Sequence, residues 1–300
     1  MRSRLSRWLR TPLVVVLIST STLLHVLLLF AVTLVKAALP FATVRRACNP
    51  LLARIAESWI GFNNWMIARF TRTRFVVEGD DDLHYDGHYL ILANHRSWVD
   101  IPVLQKVFNR RIPLLRFFLK SQLFWVPLLG LAWWALDFPF MKRYSRETIA
   151  RRPELAGRDI EATRRACARF LEIPVSLMNF VEGTRFTYAK HLAQGSPYRF
   201  LLRPKAGGVA FVLDAMGDGL QSILDVTLVY PDGRSNFSDL FADRISAVHV
   251  EVRERPIPAE FIGGDYQGDA AFRERFQVWM NAIWADKDAT IARLQDLDCS

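Results

Sequence analysis

The chain has 300 residues, a formal net charge of +9 and 51% hydrophobic residues. This length is enough to bury one large core or two small ones, and the positive charge favours anionic partners such as nucleic acids, acidic lipid headgroups or phosphorylated substrates. The three cysteines lie far apart without a CxxC pair, which argues against a disulfide framework and against a zinc site. Their odd, sparse number fits a reducing compartment.

The first predicted element is an apolar helix over residues 13–35. This run carries no formal charge, and as a helix it would extend about 34 Å at roughly 1.5 Å per residue. Such a length crosses a hydrocarbon core of about 30 Å. The basic residues before the run resemble the start of a cleaved signal peptide, but the apolar part is too long for a typical signal. We therefore predict a membrane anchor.

A second helical segment, over residues 51–70, places its apolar side chains on one face. That pattern predicts an interfacial helix with Trp59 and Trp65 near the lipid headgroups, although an ordinary helix against the core has the same periodicity. Basic residues are balanced before and after the first helix, so the positive-inside rule gives no orientation. A helical hairpin with both ends on one side of the membrane explains that balance. We therefore assign residues 1–73 to membrane-anchoring helices and residues 74–300 to a second domain.

From residue 74 onward, short apolar runs alternate with helical stretches. The predicted strands, identified by their length and β-branched content, are RFVVEG, YLILA, VSLMNFV, LDVTLVY and AVHVEVR. The predicted helices cover residues 100–108, 154–171, 208–216 and 270–297. Alternation of this kind predicts an α/β domain with a largely parallel sheet flanked by helices.

The stretch at residues 121–141 is apolar but makes a poor spanning helix. Pro127 and Gly130 interrupt it, and Asp137 ends it. Two interpretations stay open, which are a pair of core helices and a surface that enters the lipid. The three tryptophans of the stretch favour the second, because Trp is enriched at membrane interfaces.

The sequence NHRSWVDIP, residues 94–102, directly follows the predicted strand YLILA. His95 and Asp100 form an HxxxxD pair, and on a regular helix such residues are rotated by about 140°, so they meet only if His95 precedes the helix. Ser97 and Asp100 match a capping box, and Pro102 fits a first helical turn. Asp100 then either closes the cap or orients His95, whose other ring nitrogen would accept a proton from a hydroxyl group. No GxSxG-like elbow is present, so that hydroxyl is expected on the substrate.

A second polar turn, FVEGTRFT at residues 180–187, follows the predicted strand VSLMN. Gly183 permits a tight turn, and Arg185 presents a planar group suited to a phosphate or carboxylate, with Glu182 placed to order it. A strand-ending turn with a surface salt bridge is the alternative. Further basic residues are either a phosphate-binding wall beside Arg185 or a solvated patch, and these are Lys120, Lys142, Arg143, Arg146, Arg203 and Lys205.

These motifs, in this order, resemble the 1-acylglycerol-3-phosphate O-acyltransferase (PlsC-like) family of lysophospholipid acyltransferases over residues 88–235. The family motif NHxSxxD is matched at Asn94, His95, Ser97 and Asp100, and EGTR at Glu182, Gly183, Thr184 and Arg185. In this chain FMKR is similar to the second family motif, with Arg143 as its arginine. VTLVYP is similar to the fourth motif, a hydrophobic strand that ends near a proline, here Pro231. The resemblance implies that His95 is the general base, that Asp100 orients it, and that the EGTR residues with Arg143 hold the acceptor phosphate.

The same resemblance implies a glycerolipid acyltransferase-like α/β fold and a membrane-bound enzyme of phospholipid synthesis or remodelling. Such an enzyme would move a fatty acyl group from a thioester donor to the free hydroxyl of lysophosphatidic acid or a related lysophospholipid. Acyl-CoA or acyl-carrier protein would be the co-substrate, with membrane lipids as partners and with no metal and no bound cofactor. We expect a bacterial inner membrane location, with the catalytic domain on the cytoplasmic face where these donors occur.

Two rival functions follow from the composition alone. A basic, non-catalytic, membrane-associated lipid-binding protein would leave His95 and Asp100 with structural roles. A nucleic-acid binder would also explain the net charge of +9. The sequence has no recognisable nucleic-acid-binding motif and its basic residues do not lie along one helix, so we expect no nucleic-acid partner.

Overall fold

The computed structural model describes residues 7–39, 41–79, 81–138, 140–141, 151, 170 and 173–296. It begins with two long helices, α1 (Arg7–Ala38) and α2 (Ala42–Phe70). By length and composition, Pro12–Ala38 is able to cross a membrane, and most of its surface is exposed. The second helix is longer than predicted, because it continues through Pro50 to the loop after α1.

The two helices form an antiparallel hairpin. The indole Nε1 of Trp59 donates to the hydroxyl of Thr22 at 3.1 Å, which joins the middle of α2 to the middle of α1. Both free ends of the hairpin meet at Asp243, which accepts from the guanidinium of Arg10 at 2.7 Å and from the backbone N–H of Arg72 at 2.9 Å. The start of α1 and the end of α2 therefore lie side by side against the second domain, as a helical hairpin requires.

Six strands of the second domain form one sheet in the order β1-β8-β7-β2-β6-β3. Their bounds are β1 (Arg74–Glu78), β2 (His88–Ala93), β3 (Leu115–Phe117), β6 (Val175–Phe180), β7 (Ser222–Val229) and β8 (Ala247–Arg255). Two short strands, β4 (Leu119–Lys120) and β5 (Phe140–Met141), pair separately. The strands β7, β2, β6 and β3 run parallel to one another, whereas β8 is antiparallel to β7 and pairs with β1 in parallel. The prediction of a largely parallel sheet is confirmed.

Helices cover both faces of this sheet. They are α3 (Asp100–Phe108), α4 (Leu129–Ala135), α5 (Tyr188–Gln194), α6 (Gly207–Met216), α7 (Phe237–Phe241) and α8 (Ala270–Asp296). Alternate residues of β2 face opposite sides: Leu90 packs with α6 and α8, whereas Ile91 packs with α3. The bounds of α3 agree with the predicted helix, and the predicted helix at residues 154–171 lies largely outside the described residues.

The apolar stretch after β4 is partly buried against the hairpin and partly exposed. It contains a 3₁₀ turn (Ser121–Trp125) and the short helix α4, not a pair of full helices. Ala132 and Leu136 are buried against α1 and α2, so one side of α4 belongs to the core of the hairpin. Elsewhere in the stretch, Trp125 is 80% exposed and Trp134 is 52% exposed. The stretch therefore packs on the hairpin and still presents an apolar outer face.

Candidate active site

The predicted catalytic pair meets at the end of the central strand. β2 ends at Ala93, and the chain then turns before α3 begins at Asp100. Nδ1 of His95 lies 2.8 Å from Oδ2 of Asp100. The Asp100 side chain is fully buried, and that of His95 is 14% exposed. Across the part of the chain that the structure describes, Nε2 of His95 has no hydrogen-bonding partner. This nitrogen therefore has a lone pair that no group in the described chain occupies.

The Asp100 carboxylate bonds both to the imidazole of His95 and to the backbone of the turn before α3. Besides Nδ1 of His95, Oδ2 of Asp100 accepts from the backbone N–H groups of Arg96 at 2.6 Å and Ser97 at 2.9 Å. The Ser97 hydroxyl accepts in turn from the N–H of Val99 at 2.9 Å. The predicted capping box is not formed as such, because the residue before α3 is Val99 and has no side-chain cap; Asp100 instead holds the N–H groups of the preceding turn while it orients the imidazole. This contact favours the tautomer with a proton on Nδ1 and a lone pair on Nε2.

Residues 94–99, which we call the catalytic turn after the predicted role of His95, are held from the two strands that flank β2. The side-chain amide of Asn94 donates to the carbonyl of Leu228 at 2.9 Å and accepts from its N–H at 2.8 Å, which joins the turn to β7. From the other side, Glu182 accepts from the N–H of His95 at 3.0 Å and from the N–H of Leu202 at 3.0 Å. Because β2 lies between β6 and β7, these contacts fix the backbone of the turn on both sides.

Glu182 does not have the role that the sequence suggests. Its side chain is buried, and its partners in the described chain are backbone N–H groups, so it does not order Arg185 through a salt bridge. Burial raises the pKa of Glu182 to about 7, and the two N–H donors and the charges of Arg96 and Lys287 act in the opposite direction. Glu182 therefore positions the catalytic turn.

The EGTR turn brings two lysines beside its glycine and threonine. Gly183 has φ +67°, a backbone conformation that favours glycine, and a Cβ atom built there would lie 3.1 Å from Cδ of Lys205. The ammonium group of Lys190 donates to the hydroxyl of Thr184 at 2.7 Å and to the carbonyl of Arg185 at 2.9 Å. Lys205 thus packs against the glycine of the turn, and Lys190 forms hydrogen bonds with its threonine and arginine.

Two arginines of the motif turns lie over aromatic rings. The guanidinium of Arg185 lies 5.2 Å from the ring centre of Trp98, and that of Arg96 lies 4.4 Å from the ring centre of Phe186. Burial lowers the pKa of Arg96, while the nearby charges of Glu182 and Asp100 act to raise it. With the two lysines, these arginines form what we call the basic cluster: Arg96, Arg185, Lys190 and Lys205.

Two other predicted phosphate-binding residues, Arg203 and Lys120, are not joined to this cluster in the described structure. Arg203 donates to the carbonyls of Gln194 at 3.0 Å and Gly195 at 2.7 Å, so it caps the end of α5. Lys120 is exposed at the end of β4, and within the described chain no hydrogen bond connects it to the two motif turns. Arg143, with Lys142 and Arg146, lies outside the described residues.

An aromatic ladder leads from the imidazole toward the hairpin. The rings of His95 and Phe180 stack with centroids 3.9 Å apart at an angle of 14°. Phe117 lies 6.2 Å beyond Phe180, and Phe138 lies 6.4 Å beyond Phe117. Phe138 belongs to the buried cluster between α1, α2 and α4. One face of the catalytic imidazole is therefore apolar and connects to the apolar hairpin.

Several residues around the site are not found by the sequence analysis. Tyr230, one residue before the motif proline, donates to Oδ1 of Asp100 at 2.7 Å. Lys287 of α8 is fully buried, lies 2.5 Å from Asp225, and donates to the carbonyl of Val226 at 2.6 Å. The position of Tyr230 beside a recognised motif was a usable signal. The sequence around Lys287 gives no such signal, because its helix has the pattern of an ordinary amphipathic helix.

Comparison with known families adds an independent finding. The family described as Acyltransferase matches residues 74–231, which is more than half of the chain. Lysocardiolipin acyltransferase 1 from Mus musculus is 23% identical over 79% of this chain and 61% of its own length. The 1-acyl-sn-glycerol-3-phosphate acyltransferase gamma from Mus musculus is 27% identical over 72% of this chain and 56% of its own length. The match spans less than two thirds of these relatives.

A solved structure has the same fold. The crystal structure of the 1-acyl-sn-glycerophosphate (LPA) acyltransferase PlsC from Thermotoga maritima matches with a TM-score of 0.55 at 17% identity. The match covers 97% of this chain and 98% of that chain, so it includes the hairpin as well as the sheet domain. The expected architecture, an α/β domain preceded by an apolar helical segment, is confirmed.

Proposed function

This chain belongs to the acyltransferase family, and we propose that it moves a fatty acyl group from a thioester donor to the free hydroxyl of lysophosphatidic acid or a related lysophospholipid. The observation that carries the proposal is the buried contact of 2.8 Å between His95 and Asp100, with Nε2 unbonded in the described chain and Arg96 of the basic cluster in the same turn. The names of the relatives, which act on lysocardiolipin and on 1-acyl-sn-glycerol-3-phosphate, support the same substrate class.

The geometry allows a general-base mechanism. Nε2 of His95 removes the proton of the acceptor hydroxyl as its oxygen attacks the thioester carbonyl, and Asp100 stabilises the imidazolium that forms. The tetrahedral intermediate then collapses to the new ester, and the proton on His95 passes to the departing thiolate. General-base assistance of this kind typically contributes about 10²–10⁴ in rate. Holding two amphiphilic substrates in register supplies much of the remainder.

The basic cluster is the proposed site of the acceptor phosphate. Arg185 has a planar guanidinium suited to bidentate contacts, and Lys190 and Lys205 add charge at the same turn. Arg143, in the second motif, is proposed as a further contact by its resemblance alone. Gly183 and Thr184 are the residues of the turn that Lys205 and Lys190 contact, so they hold both lysines at the proposed phosphate site.

The hairpin is the proposed membrane anchor. Its outer face exposes long apolar side chains such as Leu24, Leu27 and Leu28, each more than half exposed. Both ends of the hairpin return to Asp243, so the N-terminus and the catalytic domain would lie on one side of the bilayer. We propose the cytoplasmic face of a bacterial inner membrane, because acyl-CoA and acyl-carrier protein are found there.

Acyl transfer by the purified full chain tests the proposal. Lysolipids with different headgroups are offered with acyl-CoA and with acyl-carrier protein, and product is measured for wild type and His95→Ala. We expect kcat of His95→Ala to be lower than that of wild type by a factor of roughly 10²–10⁴, while the variant still binds vesicles. Equal turnover in the two proteins would favour the non-catalytic lipid-binding function instead. In sealed inside-out membrane vesicles, donor added outside should be used, and in right-side-out vesicles it should not.

A further inference from the structure

Tyr230 and Asp100 form a buried contact that the proposed mechanism does not yet use. Tyr230 is the first residue after β7, and its hydroxyl donates to Oδ1 of Asp100 at 2.7 Å. Tyr230 is 6% exposed and Asp100 is 0% exposed. The three other donors to this carboxylate, including His95, all bind Oδ2. The two oxygens are thus divided between the catalytic turn on one side and a single phenol on the other.

We propose that Tyr230 is a positioning residue for acyl transfer, which holds the Asp100 carboxylate in the plane where Oδ2 faces Nδ1 of His95 and which limits the charge that Asp100 offers to the imidazole. The inference deepens the proposed function and rests on it for its kinetic consequences. Tyr230 does not bind substrate in this account. It acts on the general base only through Asp100.

The protonation state of the phenol agrees with this role. Burial raises the pKa of Tyr230 well above its ordinary value of 10, and the charge and hydrogen bond of Asp100 act in the same direction. The phenol therefore stays a hydrogen-bond donor at and around neutral pH. A permanent donor at Oδ1 draws charge away from Oδ2, and this weakens the hold of Asp100 on the imidazolium proton.

Removal of the phenol hydroxyl has two separable consequences. In the described chain Tyr230 is the donor to Oδ1, so Tyr230→Phe leaves a buried oxygen without a partner and lets the carboxylate turn. The imidazole is then less well aimed, which lowers kcat. The remaining charge also concentrates on the carboxylate, so His95 holds its proton more tightly and titrates at higher pH.

The other charged groups around the pair are unchanged in this variant. Arg96 lies within the catalytic turn and acts on the charge of Asp100. Glu182, at the end of β6, accepts from the backbone N–H of His95, and Lys287 of α8 acts on the charge of Glu182. None of these side chains contacts Tyr230 through a hydrogen bond in the described structure. A changed titration of His95 therefore reports the loss of the phenol.

Tyr85→Phe is the matched control. The hydroxyl of Tyr85 donates to Oε1 of Glu57 at 2.5 Å, so this variant also removes a tyrosine–carboxylate hydrogen bond, at the contact between α2 and the loop before β2. For Tyr230→Phe we expect kcat to fall roughly tenfold, with an unchanged KM for the lysolipid and with the acid limb of the kcat/KM profile at higher pH. Tyr85→Phe should match wild type in all three quantities.

A second measurement does not depend on turnover. The ring carbon and nitrogen resonances of His95 are followed by NMR during a pH titration in detergent micelles, with His95→Ala used to assign them. We expect the midpoint to move to higher pH in Tyr230→Phe and to stay at the wild-type position in Tyr85→Phe. An unmoved midpoint, or an equal movement in both variants, overturns the inference. A wild-type protein that acylates no lysolipid overturns the proposed function instead, and the NMR result still decides the role of Tyr230.

Discussion

The catalytic turn and the helical hairpin are built on opposite principles. In and beside the turn, Asn94, Asp100 and Glu182 are almost completely buried, and each makes two or more hydrogen bonds. In the hairpin, Leu24 and Leu27 are more than half exposed, and contacts such as Thr22 with Trp59 are its few polar links. The catalytic turn thus consists of buried polar groups that are hydrogen-bonded, whereas the hairpin presents exposed apolar side chains.

The difference shows which surroundings each region is made for. A buried polar group without a partner is costly, so the turn keeps its shape only while every member is present. A long exposed apolar face is unfavourable in water and suits a lipid core, so the hairpin depends on its surroundings more than on internal contacts. Substitutions in the turn should therefore have large and local effects, whereas substitutions at the base of the hairpin should have small effects that depend on the membrane.

Asp100→Asn should give the largest effect. The amide retains the size of the carboxylate but has no charge with which to stabilise the imidazolium of His95. We expect kcat to fall by roughly 10³-fold or more, with little change in the KM for lysolipid, as measured by steady-state acyl transfer. Asp288→Asn is the control, because Asp288 also accepts from two backbone N–H groups, at 2.8 Å each, away from the imidazole. A loss of less than tenfold in Asp100→Asn would contradict the proposed role of the pair.

Glu182 should make stability depend on pH. Its folded-state pKa of about 7 lies above the ordinary value of 4.5. Between these values the folded chain keeps a proton that the unfolded chain has released. The stabilisation is therefore complete below pH 4.5, is lost as pH rises through 7, and then levels off. The loss is about 3 kcal/mol in the free energy of unfolding.

Glu182→Gln should lack this dependence. We expect the free energy of unfolding of wild type, minus that of Glu182→Gln, to fall between pH 4.5 and pH 7 in urea titrations of the solubilised chain. The variant is less stable at low pH, because its amide group must face one of the two backbone N–H donors. Glu260→Gln, at an exposed position, should follow the wild-type curve. Parallel curves for wild type and Glu182→Gln would show that this carboxyl group does not titrate in the expected range.

The sequence predicts the turn well because its information is local. Strand, turn and helix follow one another within residues 88–108, so the meeting of His95 with Asp100 follows from the helix start alone. The partners of Glu182 depend instead on β6 pairing beside β2, which the motif does not encode. Tyr230 reaches Asp100 because β7 is the other neighbour of β2. Contacts between distant segments require the strand order, and one sequence does not supply it.

The same reason explains why the sequence predicts the length of the hairpin but not the contact at its base. Its apolar length is visible in residues 13–35, and the balance of basic residues suggests that both ends lie on one side. The contact that joins both ends is made by Asp243, more than 170 residues beyond α2 in the sequence. Asp243 has φ +56° after α7, a conformation that few non-glycine residues adopt. Nothing in the local sequence identifies it as the base of the hairpin.

Asp243→Ala should give the smallest effect and the one that depends most on the membrane. The change removes the carboxylate that binds the guanidinium of Arg10 and the backbone N–H of Arg72, and its side chain is 19% exposed. We expect a loss of about 1 kcal/mol in the free energy of unfolding. Turnover should fall several-fold with lysolipid in vesicles and should stay near wild type in detergent micelles. In micelles the substrate reaches the catalytic turn without a fixed angle between hairpin and domain.

Asp232→Ala separates this effect from a general disturbance of the loop between β7 and β8. Asp232 accepts from the backbone N–H of Ser246 at 2.7 Å and is not bonded to either end of the hairpin. Its removal costs one hydrogen bond of the same kind, so it should lower stability to a similar or smaller extent with equal turnover in vesicles and micelles. If Asp243→Ala also lowers turnover equally in both, the hairpin base acts on the catalytic turn itself, through the loop whose Ser235 carbonyl accepts from the Ser97 hydroxyl. A change at the base of the hairpin would then alter the catalytic turn directly, with or without a membrane.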